Sequence, residues 1–201
     1  MDVVSRANVA EQNVERFGDW MQTTNGRQFW PLDPRADEIH LDDVAHALSN
    51  LCRFAGHCRK HYSVAEHSVR VSWLAERLVL RTDAAAEDTR AAALLGLLHD
   101  AAEAYLVDLP RPVKKYIEEY ATHERRLENV IADRFELDGR WWPVVHEADE
   151  VLLATEKRDL MAEEPASWGL RHAPLDDRIE PWSANEAEQR FLLRFRALVR
   201  S

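Results

Sequence analysis

Glycine is scarce in this chain, with 6 among 201 residues. Set beside an abundance of Ala, Leu, Glu and Arg, that scarcity disfavours a strand-and-turn architecture and favours helices. No Gly-rich phosphate loop, internal repeat or sustained heptad pattern occurs. No apolar run reaches the length of a membrane span, and the first residues, MDVVSRANVA, hold no apolar signal-peptide core. The compartment expected is therefore the cytoplasm, without a membrane partner. Positive charge is also short: 26 Lys and Arg stand against 36 Asp and Glu, a formal net charge of -10. That balance excludes a broad non-specific nucleic-acid surface, while leaving room for a small anion at a local basic pocket. Cys52 and Cys58 are the only cysteines. Their spacing is neither a CxxC metal knuckle nor a disulfide framework, so they read as small apolar residues in a reducing compartment.

What is present is a chain of ordinary globular composition, 46% hydrophobic and 31% charged, of a length that suits one domain with a real core. Its organising stretch is Leu94 to Lys114, LLGLLHDAAEAYLVDLPRPVK. The first part reads as a helix apolar on every side, which places it in the interior. Three titratable groups, His99, Asp100 and Glu103, interrupt it. An unpaired buried charge is very costly, so these groups are neutralised, paired or bound to a metal. Spacings of three and four let one helical face present all three. An imidazole and a carboxylate hold a divalent ion there, and a free carboxylate nearby handles a proton. A turn through Asp108, Pro110 and Pro112 follows, and places Asp108, Arg111 and Lys114 near the helix end.

Ahead of this stretch, residues 1 to 20 carry a weak helical pattern with Val9, Val14 and Phe17 apolar. MQTTNGRQFWPLDPRADEIHL then breaks the helical composition. Its two short apolar pieces, Phe29 to Leu32 and Ile39 to Leu41, predict a loop with a small hairpin, either a surface loop or a lid over a pocket. Asp42 or Asp43 is expected to cap a helix through Val44, Leu48 and Leu51. CRFAGHCRKHY follows, the densest basic cluster near the candidate site, with Arg53, Arg59 and Lys60 suited to a phosphate. Ser63 caps the next helix, in which Val64, His67, Val71, Leu74 and Leu78 follow a 3, 4, 3, 4 spacing, so His67 takes a core-facing slot. After an amphipathic helix over 122–136 comes VVHEADEVLLATEKRDLM. There Val145, Asp149, Leu152, Glu156 and Leu160 share a stripe, and Asp149 is a carboxylate on a core-facing position. Residues 164–182 are rich in proline and tryptophan and irregular, and Ser183 opens a last amphipathic helix through Phe191, Leu192, Phe195 and Leu198.

His67, His99, Asp100 and Asp149 thus fall in the order H, HD, D on three predicted core helices. Together with RF at 53 and 54, SVAEHS at 63–68, HDAAEAYLVDLPRPVK at 99–114 and ADEVLLATE at 148–156, this resembles the HD-domain metal-dependent phosphohydrolases, most closely the bacterial 5'-deoxynucleotidase branch. The resemblance implies an all-α helical bundle forming a single domain over 1–201. Its core is about 41–163, with residues 1–40 as an N-terminal extension or lid and 164–201 as an irregular segment plus a C-terminal helix. It further implies that His67, His99, Asp100 and Asp149 bind one divalent transition metal ion, Co, Mn, Fe, Ni or Zn. Glu103 would shuttle a proton, Asp108 would orient water or a substrate hydroxyl, and Arg53 would hold the phosphate with Lys114 as a second candidate. Phe54 stands where related enzymes carry an aromatic, commonly Trp, against the sugar or base. The reaction implied is 5'-dephosphorylation of deoxynucleoside monophosphates. Release of triphosphate from a nucleoside triphosphate, drawing on Arg59, Lys60, Arg111 and Lys115, is the alternative within the class. A non-catalytic nucleotide sensor and a di-iron oxidoreductase using His123 or His146 lie outside it. Relatives of this kind are commonly homodimers.

Overall fold

A computed structural model describes residues 16–199; the weak helical pattern read over 1–20 lies, up to Glu15, outside the described residues. The chain is all-α apart from one small hairpin. The helices are α1 (Leu41–Asn50), α2 (Val64–Val79), α3 (Ala86–Leu98), α4 (Glu103–Leu106), α5 (Arg111–Lys114), α6 (Glu118–Phe135), α7 (Trp142–Leu160) and α8 (Ala184–Val199). α2 is the axis of the bundle. It packs on α3 and α7 along one side and on α1 and α8 along the other. Ser63 caps it as its sequence predicts, its hydroxyl accepting from the Glu66 N–H at 3.1 Å. Ser183 does the same for α8, accepting from the Glu186 N–H at 3.2 Å.

Two apolar clusters meet across α2. One gathers Val44, Leu48, Val69, Leu97, Leu127 and Phe191 from α1, α2, α3, α6 and α8. The other gathers Val71, Leu74, Leu95, Val145, Leu152 and Leu160 from α2, α3 and α7. Burial of each such side chain stabilises the fold by roughly 1.5–3 kcal/mol. α2 and α3 approach closely at Gly96, where an added Cβ would lie 3.2 Å from the Ser72 Cα. The Ser72 hydroxyl donates to the Ala93 carbonyl at 2.7 Å across the same contact. This close approach sets the separation of the helices that carry His67 and His99.

Of three local expectations, one holds and two are corrected. First, the small hairpin expected within 21–41 is present, pairing Met21–Gln22 with Gln28–Phe29. Thr23 and Arg27 close the turn through a 2.9 Å backbone bond, with Gly26 at φ 75°. Second, α1 begins at Leu41 with His40 at the cap and no side-chain cap bond. Asp43 instead accepts from Arg27 at 2.7 Å and Asn25 at 2.8 Å, tying the hairpin to α1. Third, the helix expected to run through His99 to Glu103 ends at Leu98. The N–H groups of Ala101, Glu103 and Ala104 reach back three residues, to Leu98, Asp100 and Ala101, so the HDAA sequence forms a tight turn before α4.

The N-terminal segment read as a lid is anchored in the core. Phe29 is fully buried and stacks on Tyr105 with ring centroids 3.8 Å apart. None of its described residues lines the cavity described below.

Candidate active site

His67 projects from the second turn of α2 into the seam between the two apolar clusters, where it is fully buried. His99 is the C-cap of α3, Asp100 follows it in the tight turn, and Asp149 lies two turns into α7. Three separate pieces of chain therefore deliver four side chains to one point. His67 Nε2 stands 3.3 Å from His99 Nε2, 3.2 Å from Asp149 Oδ1 and 3.5 Å from Asp100 Oδ2. His99 Nε2 is 3.2 Å from the same Asp100 oxygen. Ligand atoms of His67, His99 and Asp149 all fall within 4.8 Å of one another.

The hydrogen bonds behind the rings decide what these atoms are. His99 Nδ1 lies 2.8 Å from the Gly96 carbonyl, which only accepts, so Nδ1 carries the hydrogen and Nε2 offers a lone pair. His67 Nδ1 likewise faces the buried Glu156 carboxylate at 2.6 Å. Two lone pairs and two carboxylate oxygens then converge with no donor among them. Such a set repels itself unless a cation lies between, and ligands about 2.1 Å from an ion stand about 3.0–3.4 Å apart, the spacing seen here. The residues present fit a divalent metal. Without one, the negative surroundings hold a proton on His67: burial and Arg53 oppose it, but Glu156 and the bonds to Asp149 and Glu156 raise its pKa to about 9. Burial likewise works against ionisation of Asp100 and Asp149, yet the adjoining imidazoles and Arg53 hold both well below the usual carboxylate range.

Glu156 is the residue that sequence reading left without a role. It sits two turns beyond Asp149 on the same stripe of α7, fully buried, and joins the cluster to Arg53. Its second oxygen lies 3.2 Å from Arg53 Nη2, while Arg53 Nη1 reaches Asp100 at 3.5 Å. Arg53 is held in place by its backbone too. The Arg53 N–H donates to the Tyr62 carbonyl at 2.9 Å and the Val64 N–H to Leu51 at 3.0 Å, closing the 52–63 loop at its base. Inside that loop Phe54 and Ala55 take φ of 55° and 50°, left-handed conformations that cost non-glycine residues of order 1 kcal/mol or more each.

Of the four converging side chains, Asp100 lines a cavity of about 460 Å3, whose wall also carries Arg53, Glu103, Asp108 and Arg111. Glu103 has a buried Oε2 with no hydrogen-bond partner. Burial, then the Asp100 and Asp108 charges, push its carboxyl well above the ordinary range, and burial raises Asp108 as well. Val107 delivers Asp108 to the cavity. It sits at φ 62° and ψ 159°, an outlier for a β-branched residue, and its carbonyl accepts from the Tyr120 hydroxyl at 2.8 Å. Lys114 is elsewhere: its ammonium pairs with Glu124 at 2.6 Å and it does not line the cavity, whereas Arg111 does and reaches Asp149 at 3.2 Å. Trp168 and Leu170, from the irregular segment after α7, also line the cavity. His123 stacks on Phe17 and His146 lies tilted against Trp142, both outside the cluster.

A helical bundle that brings H, HD and D from three positions to one metal-competent point defines the class: it is an HD domain, the fold of a superfamily of metal-dependent phosphohydrolases. Within that class the chain belongs to the YfbR-like 5'-deoxynucleotidase family, whose pattern it matches over residues 43–138. It is 33% identical over 182 residues to the uncharacterized protein YfdR of Escherichia coli (strain K12), covering 89% of this chain and 95% of that one. It is 34% identical over 176 residues to an uncharacterized protein of Rhodobacter capsulatus, covering 86% of this chain and 79% of the other. Among the described residues no helix is long and apolar enough to cross a membrane.

Proposed function

We propose that this chain is a metal-dependent 5'-nucleotidase that releases orthophosphate from deoxynucleoside monophosphates. The observation that carries the reading is the convergence of His67, His99, Asp100 and Asp149, with His67 Nε2 3.2–3.5 Å from the other three, beside a cavity whose wall holds a largely buried arginine and two carboxyls of raised pKa.

His67, His99, Asp100 and Asp149 would hold one divalent metal. A bound metal supplies Lewis-acid polarisation of the phosphoryl group and a water of lowered pKa. Arg53 binds the phosphate, its guanidinium aimed by Glu156 so that little ordering is left to do when the anion arrives. Glu103, with an oxygen free of partners, takes and returns the proton exchanged between the attacking water and the leaving 5'-oxygen. Asp108 orients the water or the substrate hydroxyl beside it. The domain reading is part of the same proposal: one unit, with the core at about 41–163, α8 folded back onto it and the 164–182 segment over its cavity.

A monophosphate is favoured over a triphosphate by the supply of cations. Lys114 is paired with Glu124, and Arg59 lines a separate groove with Lys157 and Arg158. Arg53 and Arg111 are the cations on the cavity wall. The positions of His123 and His146 favour one metal over two.

The test is phosphate release from deoxy- and ribonucleoside mono- and triphosphates after EDTA stripping and re-addition of single metals. Orthophosphate from deoxynucleoside monophosphates, restored by one transition metal, is the expected result. Triphosphate from a triphosphate overturns the monophosphate assignment. Nucleotide binding without release under any metal overturns the enzyme in favour of a sensor.

A further inference from the structure

Beside its charged groups the cavity wall carries Phe54, Leu109, Pro112, Leu153, Trp168 and Leu170. Trp168 comes from the segment that follows α7, more than a hundred residues from Phe54, yet their ring centroids stand 6.1 Å apart at an interplanar angle of 58°. Each ring is held by a different device. Phe54 is turned inward by its own left-handed backbone, with the Arg53 guanidinium carbon 5.4 Å from its ring centroid. Trp168 is followed by Gly169 at φ 66°, whose N–H donates to the Ser167 hydroxyl at 3.1 Å, and the segment is tied upstream by the Lys157–Glu164 pair. Trp168 is nevertheless 40% exposed, a large aromatic left half in water at the mouth of a cavity.

We propose that Trp168 and Phe54 form an aromatic clamp that recognises the nucleobase by stacking and accepts purines and pyrimidines alike. The inference rests on the nucleotidase reading of the charged groups and names what the aromatic pair selects. A nucleotide carries a phosphate at one end and a flat π-face at the other, so its phosphate meets Arg53 and its base meets the two rings. Phe54 offers no hydrogen-bonding group and Trp168 only its indole N–H. Two rings do not read a base edge, whereas every base offers a π-face, so stacking is tolerant of base identity. A base held between two rings at van der Waals distance needs about 7 Å between them, so the rings turn toward parallel and open by about 1 Å. Phe54 cannot yield, being fixed with Arg53. The movement belongs to Trp168, in a stretch with neither helix nor strand.

The experiment compares wild type, Trp168→Ala and Trp168→Phe on dAMP, dGMP, dCMP, dTMP and 2-deoxyribose 5-phosphate, the last lacking a base. Trp168→Ala is expected to raise KM for all four nucleotides by about tenfold with kcat little changed, the mark of lost stacking in ground and transition states alike. The ratio of kcat/KM for dAMP to that for 2-deoxyribose 5-phosphate falls by the same factor, and Trp168→Phe recovers most of the loss because it restores a π-face. Unchanged KM in Trp168→Ala overturns the clamp. So does a KM rise confined to one base, which would mean edge reading, or an equal loss on the baseless sugar phosphate, which would make Trp168 a support for the phosphate site. If wild type cleaves none of these substrates with any metal, the nucleotidase reading fails separately. The clamp is then decided by equilibrium dialysis with dAMP: binding weakened in Trp168→Ala sustains it, and equal or absent binding overturns it.

Discussion

Glu156 divides its two carboxylate oxygens between neighbours, one at 2.6 Å from His67 Nδ1 and the other at 3.2 Å from Arg53 Nη2. It therefore fixes both the tautomer of a metal-competent imidazole and the direction of the Arg53 guanidinium. Glu156→Gln replaces one oxygen with a donor that must face either the Nδ1–H or the guanidinium. Metal affinity is expected to fall about 10- to 100-fold, as read by competition against a chelating dye with a single re-added metal. Glu103 lies beside Asp100 on the cavity wall, its Oε2 without a hydrogen-bond partner. Glu103→Ala should retain metal and lose activity by about 10²–10⁴-fold, and a variant with full activity and full metal content would refute its role. At this scale the sequence was legible where a titratable residue occupied a periodic apolar slot, as His67 and Asp149 do. Glu156 shared that stripe, but spacing alone does not distinguish a carboxylate that orients an imidazole from one that pairs at the surface. Trp168 carried no signal, since it belongs to no periodic element and its partner Phe54 is distant in sequence.

The end of α7 anchors the segment that closes the cavity. Asp159 accepts from Arg158 at 2.7 Å, from Arg178 at 2.7 Å and from the Ile179 N–H at 2.9 Å, and Thr155 Oγ1 accepts from the Leu175 N–H at 2.9 Å. Those bonds, the Arg158 contact foremost, hold the Asp159 carboxyl well below its usual pKa, against a smaller opposing effect of burial. A depressed carboxyl pKa stabilises the fold above the unfolded value, about 3.9, and the contribution disappears as pH falls through the folded value. Asp159→Asn is therefore expected to cost about 2 kcal/mol at pH 7. The gap to wild type should narrow steadily below about pH 4, as followed by urea denaturation at several pH values. Most helices were legible from their spacing and their Ser caps. The break at His99 was not, because no Pro or Gly marks HDAA. The chain tightens there through bonds that reach back three residues, with Ala101 and Ala102 buried in the turn.

The metal-competent cluster joins α2, the end of α3 and α7, so an ion held there adds a link to the Ser72–Ala93 and His67–Glu156 hydrogen bonds that already tie these helices. Stripping it with EDTA should lower stability by about 2.7 kcal/mol relative to metal at 100 times its Kd. In a domain of this size that is a fall of about 5–10 °C in Tm. Calorimetry before and after chelation checks this, and an unchanged Tm would show that the cluster holds no metal. α8 completes the fold from the far end of the described chain: Ala187, Phe191 and Leu198 are buried against helices whose residues come more than a hundred positions earlier. On a translating ribosome, at about 5–20 residues per second, α1 and α2 therefore wait about 5–30 s for the helix that covers them. Their apolar faces are exposed through that interval, so the bundle closes only once α8 has been made, and the nascent chain is the form most in need of a chaperone.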